Sequence, residues 1–379
     1  MDLDLSFNVV HDQGAKALAN HFRYTGNVLR YLDLCNCQLR SEDIKILCEV
    51  LKIYPNNLEE LYLAGNIITD DGSQDLCAYL GSRTCVLLTL DLSWNRIGEA
   101  GAVEFAQAMH HNKSLLKLNI ASNGINDKGG QRFADSLIYH ETLEELNLAQ
   151  NGISNGTCFV LAQAVKGHKS LRKIDLSLNP LGEAGARSIF RTILRGLSCF
   201  ITMRNCSYPE NKAIFNHTYP TSENPYVMDL TEPYKRAVVQ ELLIKYLKDP
   251  THCRLENIFH RENPKSNEIA INLWIQNNQV CLKNTTEKWN VPRTGTLRFI
   301  FHQETFVPSL EHRIDEKAFN ILQIIVENGI TEIDKRTWLG LLCQDIYITT
   351  EQAQSMIDRF KKNRTIGTGG LNVLDILKR

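Results

Sequence analysis

The chain has 379 residues, 43% of them hydrophobic and 22% charged, with a formal net charge of −1 at pH 7. This composition is typical of a globular protein, and the balanced charge argues against a nucleic-acid-binding protein, which usually carries a basic excess. No apolar run reaches the roughly 18 residues that a membrane-crossing helix needs. The first residues, MDLDLSFN, lack the basic and apolar segments of a secretory signal. We therefore expect neither nucleic acid nor membrane among its partners.

From its first residues onward the chain repeats one pattern. Leucines stand at the first, fourth and sixth positions and an asparagine or cysteine at the ninth, most clearly in LLTLDLSWN, which runs from Leu87 to Asn95. The ninth position recurs every 28 or 29 residues. The pattern, L-x-x-L-x-L-x-x-N/C, is that of the leucine-rich repeat in its long form. The seven ninth positions are Asn8, Cys37, Asn66, Asn95, Asn123, Asn151 and Asn179.

Each part of the repeat predicts a local structure. Leu-x-Leu has the period-two alternation of a short strand, so both leucines enter the core and the residue between them points outward. The asparagine turns inward where the strand ends, and its amide can bond backbone groups of the turn. A helix follows, as in GAVEFAQAMHH, which we expect to bury Val103, Ala106 and Met109. Small residues at its start, such as Gly101 and Ala102, allow close approach of the neighbouring repeat.

These elements predict an α/β fold. Residues 1–206 should form a curved leucine-rich repeat solenoid with parallel strands inside and helices outside, followed by a mostly helical C-terminal region. The repeat length and the full helix resemble the ribonuclease-inhibitor type of repeat, in which neighbours stabilise one another. LSCFITMRN, from Leu197, is expected to form a degenerate eighth strand. No polar capping segment separates Met1 from the first strand, so either another subunit covers that strand or the sequence is a truncated form.

Residues 207–310 are predicted to be a linker and capping region. TEPYKRAVVQELLIKYL predicts a helix with Thr231 as its N-cap and Pro233 in its first turn. Its apolar stripe is expected to pack on the end of the solenoid. Residues 249–290 give no clear pattern, and alternation after them predicts one extended strand. The stripe consists of Tyr234, Val238, Leu242 and Leu243, and the strand positions are Leu297, Phe299 and Phe301.

Residues 311–379 are predicted to form a helical module that resembles a pair of EF-hands without their calcium ligands. Asp315 is a candidate helix cap, and Thr349 with Gln352 has the spacing of a capping box. A calcium loop needs acidic or amide oxygens at alternating positions and a closing glutamate. RTIGTGGLNVLD, from Arg364, has no early aspartate, and the acids of ENGITEIDKRTW do not align with such a loop. We therefore expect no calcium here and no cofactor elsewhere in the chain.

The sequence has no constellation of residues that indicates an enzyme. It lacks a phosphate-binding loop as well as the Cys-x-x-Cys and His-Glu-x-x-His spacings of metal sites. Cys35 and Cys37 are not expected to bind a metal together, because the repeat directs Cys35 to the concave side and Cys37 to the core. The cysteines at apolar positions of the repeat are expected to be buried thiols rather than disulfides. They are Cys37, Cys48, Cys77 and Cys158.

The concave sheet is the candidate partner-binding surface. The outward residues of Leu-x-Leu form a mildly acidic to neutral column, and the next column is uniformly small. Such a trough would suit a helix or a basic segment of another protein, although small residues are also common there for packing alone. On the rim, bulky apolar residues stand where water is expected, and Trp94 is the candidate anchor. The candidate binding residues are Asp33, Tyr62, Asp91, Asn119, Asn147 and Asp175 on the sheet and Phe7, Trp94 and Leu178 on the rim.

A repeat solenoid followed by an EF-hand-like end resembles the leucine-rich repeat proteins of ciliary and flagellar axonemes. This resemblance implies a non-catalytic scaffold that binds other proteins of a large complex, in the cytoplasm on a microtubule-based axoneme. The alternative is a soluble regulatory module that inhibits an enzyme or modulates a small GTPase, which the acidic column favours. A fragment of an innate-immunity sensor is a third interpretation, disfavoured because no nucleotide-binding region precedes the repeats.

Overall fold

The computed structural model shows two compact units, one made of residues 1–210 and 314–379 and the other of residues 211–313. None of the helices in its described part combines the length and the apolar character that a bilayer crossing requires. The Gly-rich loop predicted from Arg364 lies outside the described residues. The described residues are 1–25, 29–54, 57–194, 199–209, 225–271, 273–276, 279–282, 288–303, 314–327, 332–342, 346 and 348–362.

The first unit is built on an eight-stranded parallel sheet whose strands follow the order of the chain. Equivalent leucines of successive repeats lie side by side, as Leu61 does between Leu32 and Leu90. This register confirms the predicted solenoid and its eighth strand. The strands are β1 (Asp2–Asp4), β2 (Tyr31–Asp33), β3 (Glu60–Tyr62), β4 (Thr89–Asp91), β5 (Lys117–Asn119), β6 (Glu145–Asn147), β7 (Lys173–Asp175) and β8 (Phe200–Thr202).

A helix follows each of the first seven strands, and consecutive helices pack side by side. In α4, Ala106 and Met109 are buried as predicted, but Val103 is only half-buried. The buried stripe runs instead through Ala102 and Phe105, because these residues keep the three- and four-residue spacing with Ala106 and Met109. The helices are α1 (His11–Thr25), α2 (Ser41–Ile53), α3 (Asp70–Leu80), α4 (Gly98–His111), α5 (Asn126–Ser136), α6 (Asn155–Gly167) and α7 (Glu183–Leu194), and a 3₁₀ turn, Leu137–Tyr139, follows α5.

The repeat asparagines after the first, exposed one, Asn8, are buried and join the turns of adjacent repeats. Asn95 donates from Nδ2 to the carbonyl oxygen of Leu92 in its own repeat (3.0 Å) and to that of Leu63 in the preceding repeat (2.9 Å). Its Oδ1 accepts from the backbone N–H of Ile68 at 3.1 Å. These bonds confirm the predicted inward placement of the asparagine, since each partner is a backbone group that the turn leaves without a strand neighbour.

Two cysteines fill the asparagine position with a weaker donor. The Sγ of Cys37 lies 3.0 Å from the carbonyl oxygen of Leu5, in the preceding repeat. Cys206, which the repeat pattern did not mark as a ninth position, makes the same contact with Leu176 at 3.3 Å. The eighth repeat therefore keeps the interior turn contact of the others. The predicted buried cysteines are all free thiols, namely Cys37, Cys48, Cys77 and Cys158.

In its described part, the second unit contains one helix, a two-stranded hairpin and a four-stranded antiparallel sheet in the order β11 (Ile269–Ala270), β10 (Cys253–Arg261), β14 (Thr296–Gln303) and β9 (Tyr226–Asp229). The predicted strand is confirmed, since alternate residues of β14 are buried. Residues 249–290, which gave no pattern in the sequence, supply most of the remaining strands. The elements are β9 (Tyr226–Asp229), α8 (Pro233–Lys248), β10 (Cys253–Arg261), β11 (Ile269–Ala270), β12 (Leu273–Gln276), β13 (Gln279–Leu282) and β14 (Thr296–Gln303).

Two expectations about α8 need correction. Its apolar stripe, including Val238 and Leu242, is buried in one core with the β14 residues Leu297 and Phe299. This sheet, rather than the end of the solenoid, supplies the apolar surface that the stripe covers. Pro233 is the first residue of α8, as expected, but the cap is Glu232 rather than Thr231.

Three further helices, α9 (Glu316–Glu327), α10 (Glu332–Leu342) and α11 (Thr350–Lys362), belong to the first unit. Of these, α9 and α10 pack on α7, the last helix of the solenoid. Trp338 of α10 places its ring centroid 5.9 Å from that of Phe190 in α7. Its Nε1 donates to the hydroxyl of Tyr208 at 2.9 Å. The last repeat is thus covered by C-terminal helices.

The predicted helix caps of this region are present. Asp315 accepts from the backbone N–H of Ala318 at 2.7 Å. At α11, the backbone N–H of Gln352 donates to the hydroxyl of Thr349 (3.1 Å), and the N–H of Thr349 donates to the Oε1 of Gln352 (3.0 Å). This reciprocal pair is the capping box expected from the spacing of the two residues.

Candidate protein-binding surface

The concave face of the sheet brings the predicted strand residues into one column. All six are partly exposed, because each stands between two buried leucines or isoleucines of its strand. Five of them line an open trough of about 220 Å³, and Asp33 lies at the next strand beyond it. The five trough residues are Tyr62, Asp91, Asn119, Asn147 and Asp175.

The aspartates and asparagines of this column also hold the turn that follows their own strand. Asp91 Oδ1 accepts from the backbone N–H of Ser93 at 2.8 Å, and Asn119 Oδ1 accepts from that of Ala121 at 3.2 Å. Such bonds to the backbone two residues on are typical of Asx turns. The acidic character of the column is therefore in part a requirement of the turn. The same bond recurs at Asp33, Asn147 and Asp175.

A second charged column, which the sequence analysis missed, lies beside the first. The residue two positions before the predicted one also points to the concave face, because side chains alternate along a strand. Lys117 and Lys173 of this column line the trough, and Lys117 Nζ lies 3.0 Å from Glu145 Oε1. The trough therefore carries both signs of charge, and its three carboxylates against two lysines leave it mildly acidic. The column comprises Tyr31, Glu60, Thr89, Lys117, Glu145 and Lys173.

The predicted sheet residues run from β2 to β7, and the two ends of this row differ in chemistry. At the β2–β3 end, the rings of Tyr31 and Tyr62 pack with centroids 5.2 Å apart. Their hydroxyls donate to carboxylates, Tyr31 to Asp33 at 3.3 Å and Tyr62 to Glu60 at 2.7 Å. Burial first, and then these carboxylates, raise the pKa of both tyrosines, so both keep their protons. This end is acidic and aromatic, whereas the lysines of the trough lie on β5 and β7.

The column of small residues is more enclosed than expected. Ser93, Ala121 and Ser177 are buried, and the hydroxyl of Ser177 accepts from the backbone N–H of Arg204 at 3.0 Å. Cys35 is partly exposed on the concave side while Cys37 is buried, as predicted. Burial, together with Asp33, raises the pKa of Cys35 to about 12, so its sulfur is an unreactive thiol at neutral pH.

The predicted rim residues Phe7, Trp94 and Leu178 are 80%, 62% and 50% exposed. Each has a left-handed backbone, with φ of 57°, 58° and 60°. Asparagine or glycine adopts this conformation at little cost, as Asn36 does in the second repeat and Gly65 in the third, but bulky residues are strained there. The sequence could not show this strain, because the repeat pattern specifies nothing at the position before the asparagine.

Fold and motif define the class of this region: it is a leucine-rich repeat solenoid. The motif matches the family model described as "Leucine Rich repeat" at residues 1–19, 54–77, 85–106, 111–134, 139–159 and 167–190. A second model, "Leucine Rich Repeat", matches residues 28–50.

Relatives place these repeats with the ribonuclease-inhibitor-like type. The chain is 33% identical to the ribonuclease inhibitor of Mus musculus over 115 residues, which are 30% of this chain and 25% of the inhibitor. It is 41% identical over 93 residues to NACHT, LRR and PYD domains-containing protein 1b allele 4 of Mus musculus, covering 24% of this chain and 10% of that protein. The chain thus spans a quarter or less of these relatives.

A solved structure of leiomodin-1, titled "Leiomodin-1 Actin-Binding Site 2 (ABS2)", also aligns with the chain. It has 17% sequence identity and a TM-score of 0.30, and the alignment covers 47% of this chain and 88% of that one. A likeness at this level supports no functional inference.

Proposed function

We propose that the chain is a non-catalytic scaffold that holds partner proteins on the concave sheet and its rim. The observation that carries this proposal is Trp94, a large apolar side chain that is 62% exposed on a left-handed residue beside the trough. A bulky residue in this conformation costs about 1–2 kcal/mol. Tryptophans at interface centres often carry a large share of binding energy.

The trough supplies the polar half of such an interface. Asp91, Lys117 and Asp175 line it with both signs of charge, so a partner of complementary pattern could be held in one register. Phe7 and Leu178 would add apolar contacts along the same rim, three repeats to either side of Trp94. The sheet residues Asp33, Tyr62, Asn119 and Asn147 complete the proposed surface.

The test compares two exposed apolar residues that differ in position. Full-length protein carrying Trp94→Ser should lose at least tenfold of its partner recovery in quantitative affinity purification. Ile138→Ser changes a residue that is 45% exposed in the 3₁₀ turn after α5 and should recover partners like the unmodified chain. Equal recovery by the two variants, with unchanged melting temperatures, would remove Trp94 and the rim from the interface.

We propose further that the partners are components of a ciliary or flagellar axoneme. The support is the organisation of the chain, a repeat solenoid followed by the helices α9, α10 and α11, which resembles axonemal leucine-rich repeat proteins. A resident scaffold should stay with axonemes after washes with detergent and salt. The loops of the EF-hand-like region lack a calcium pattern, so calcium should leave the melting temperature of the full chain unchanged.

A second candidate function is regulation by binding, in the manner that the name of the ribonuclease inhibitor indicates for that protein. The sequence similarity to the inhibitor and the acidic, aromatic β2–β3 end of the sheet favour it. In this case the chain should wash out of axonemes as a small soluble complex. Stoichiometric inhibition of a ribonuclease by the full chain, lost in Tyr62→Ala, would favour this candidate over the scaffold.

A further inference from the structure

The open edge of β8 borders a groove, called here the edge groove. One wall consists of residues 199–204, six consecutive residues that include all of β8. The opposite wall is formed by Ile321, Ile324 and Ile325 of α9 and by Trp338 of α10. The space between them has a volume of about 300 Å³. Side chains from both faces of β8 line this space, which places the groove along the edge of the strand.

The β8 wall offers backbone hydrogen-bonding groups. Just after β7, the N–H groups of Leu176 and Leu178 donate to the carbonyl oxygens of Thr202, the last residue of β8, and of Arg204, both at 2.8 Å. Met203 and Asn205 are the equivalent residues one repeat later, and no described residue accepts from their N–H groups. Within the described chain, β8 pairs only with β7. The edge is thus able to pair with one more strand.

The helical wall offers an apolar surface. Ile321, Ile324 and Ile325 have the three- and four-residue spacing that places them on one face of α9. Ile324 is 55% exposed and Phe200, on β8, is 54% exposed. Two large apolar side chains are therefore open to solvent across one narrow space, a combination that marks interaction sites more often than a single exposed residue does.

We propose that the edge groove binds an extended peptide segment of a partner protein, which adds to the sheet as a ninth strand. The free N–H groups of Met203 and Asn205, just after β8, require backbone acceptors, and a strand provides these while a helix has already used its own. The isoleucine wall requires large apolar side chains, which a strand presents at every second residue. This mode is β-strand addition.

The proposed partner is defined by chemistry: an extended segment with large apolar residues at alternate positions and no proline at the paired ones. The groove lies at the end of the concave sheet, so an added strand would continue that surface. The proposal goes beyond the concave-face function and does not depend on Trp94, because none of its groups is on the trough or the rim.

The experiment screens a library of random ten-residue peptides against the full-length protein. We expect enriched sequences with alternating large apolar residues. The tightest of these should lose at least tenfold in affinity when every second amide is N-methylated, since methylation removes strand pairing and keeps the side chains. Enrichment without alternation, or binding that survives both methylation registers, would overturn strand addition.

Matched variants locate the binding. Ile324→Asp should weaken the selected peptide at least tenfold at unchanged melting temperature, whereas Ile138→Asp, at a similarly exposed apolar site elsewhere, should bind normally. Equal affinities of the two variants would place the peptide site outside the edge groove and overturn the proposal. A screen with no enriched sequence would also overturn it, because the groove would then bind no extended peptide. Dimerisation that Ile324→Asp abolishes would instead assign the groove to a second copy. Trp94→Ser should leave peptide binding intact, which separates this outcome from failure of the concave-face proposal.

Discussion

Asn95 shows how one amide stabilises two repeats. It donates to carbonyl oxygens of its own and of the preceding repeat and accepts from Ile68, and it is 7% exposed. Buried backbone groups that lose their partners cost about 1–3 kcal/mol. The same donation to the preceding repeat recurs at Asn66, Asn123 and Asn151, so a series of asparagine hydrogen bonds links the central repeats of the solenoid.

We expect Asn95→Ala to lower the free energy of unfolding by about 1–3 kcal/mol, because it leaves these backbone groups unpaired. Asn95→Cys should lose less, since Cys37 and Cys206 already fill this position with a thiol that donates to a carbonyl. Urea unfolding of the three proteins measures the order. Equal stability of the alanine and cysteine variants would mean that the hydrogen bonds contribute little.

Residue spacing predicted the interior of the repeat better than its surface. The positions of Asn95 and Cys37 follow from the motif, because burial allows few residue types there. The column of Tyr31, Glu60 and Lys117 follows from the same alternation, counted two residues back along each strand. It was missed because the prediction stopped at the residue between the two leucines. The left-handed backbone of Trp94 could not be predicted, because the repeat pattern does not determine the φ angle of that residue.

At the scale of elements, the loops that lead into successive strands share a side-chain acceptor. Asn112 Oδ1 accepts from the N–H of Leu115 at 2.9 Å. One repeat later, His140 Nδ1 accepts from the N–H of Leu143 at 3.1 Å, and His168 makes the same bond in the next repeat. His140 is 1% exposed, and burial, with a smaller contribution from His168, lowers its pKa to about 4. The loop therefore requires a neutral histidine.

This requirement makes stability depend on pH. The pKa of His140 falls from 6.5 to about 4 on folding, so as pH decreases the unfolded chain binds a proton before the folded one does. The stabilisation from neutral His140 is complete above about pH 6.5 and is lost toward pH 4, and the loss has reached about 2 kcal/mol at pH 5. His140→Asn, which copies Asn112, should flatten the loss of stability between pH 7 and pH 5. Chemical denaturation at both pH values measures it, and an unchanged slope would exclude His140 as its source.

Elements were predictable where they repeat or alternate and not elsewhere. The eight strands of the solenoid and β14 follow from apolar periodicity, and the cap of α11 from Thr349 and Gln352. Within residues 249–290, short strands such as β11 and β12 have too few residues to establish a period. The surface that α8 packs on could not be inferred either. Its apolar stripe could cover any apolar face, and most strands of the sheet that it covers were not predicted.

At the scale of the whole molecule, the first unit is an array in which each repeat is stabilised by its neighbours. The last repeat has no following repeat, and α9 and α10 pack on its helix instead. Trp338, which is 6% exposed, contacts Phe190 of α7 and bonds Tyr208. The helix α2, near the far end of the array, is several repeats away and packs on α1 and α3.

Trp338→Ala should therefore loosen one end of the molecule and not the other. Removal of a buried tryptophan lowers the free energy of unfolding by about 3–5 kcal/mol. Because each repeat is stabilised by its neighbours, the repeat that contacts Trp338 should lose the most local stability. In hydrogen exchange of the full chain, amides of α7 and β8 should lose protection by a factor of ten or more while those of α2 and β3 change little. Trp94→Ala removes an exposed tryptophan and should leave both ends protected. A uniform loss of protection in Trp338→Ala would show instead that the repeats unfold as one cooperative unit.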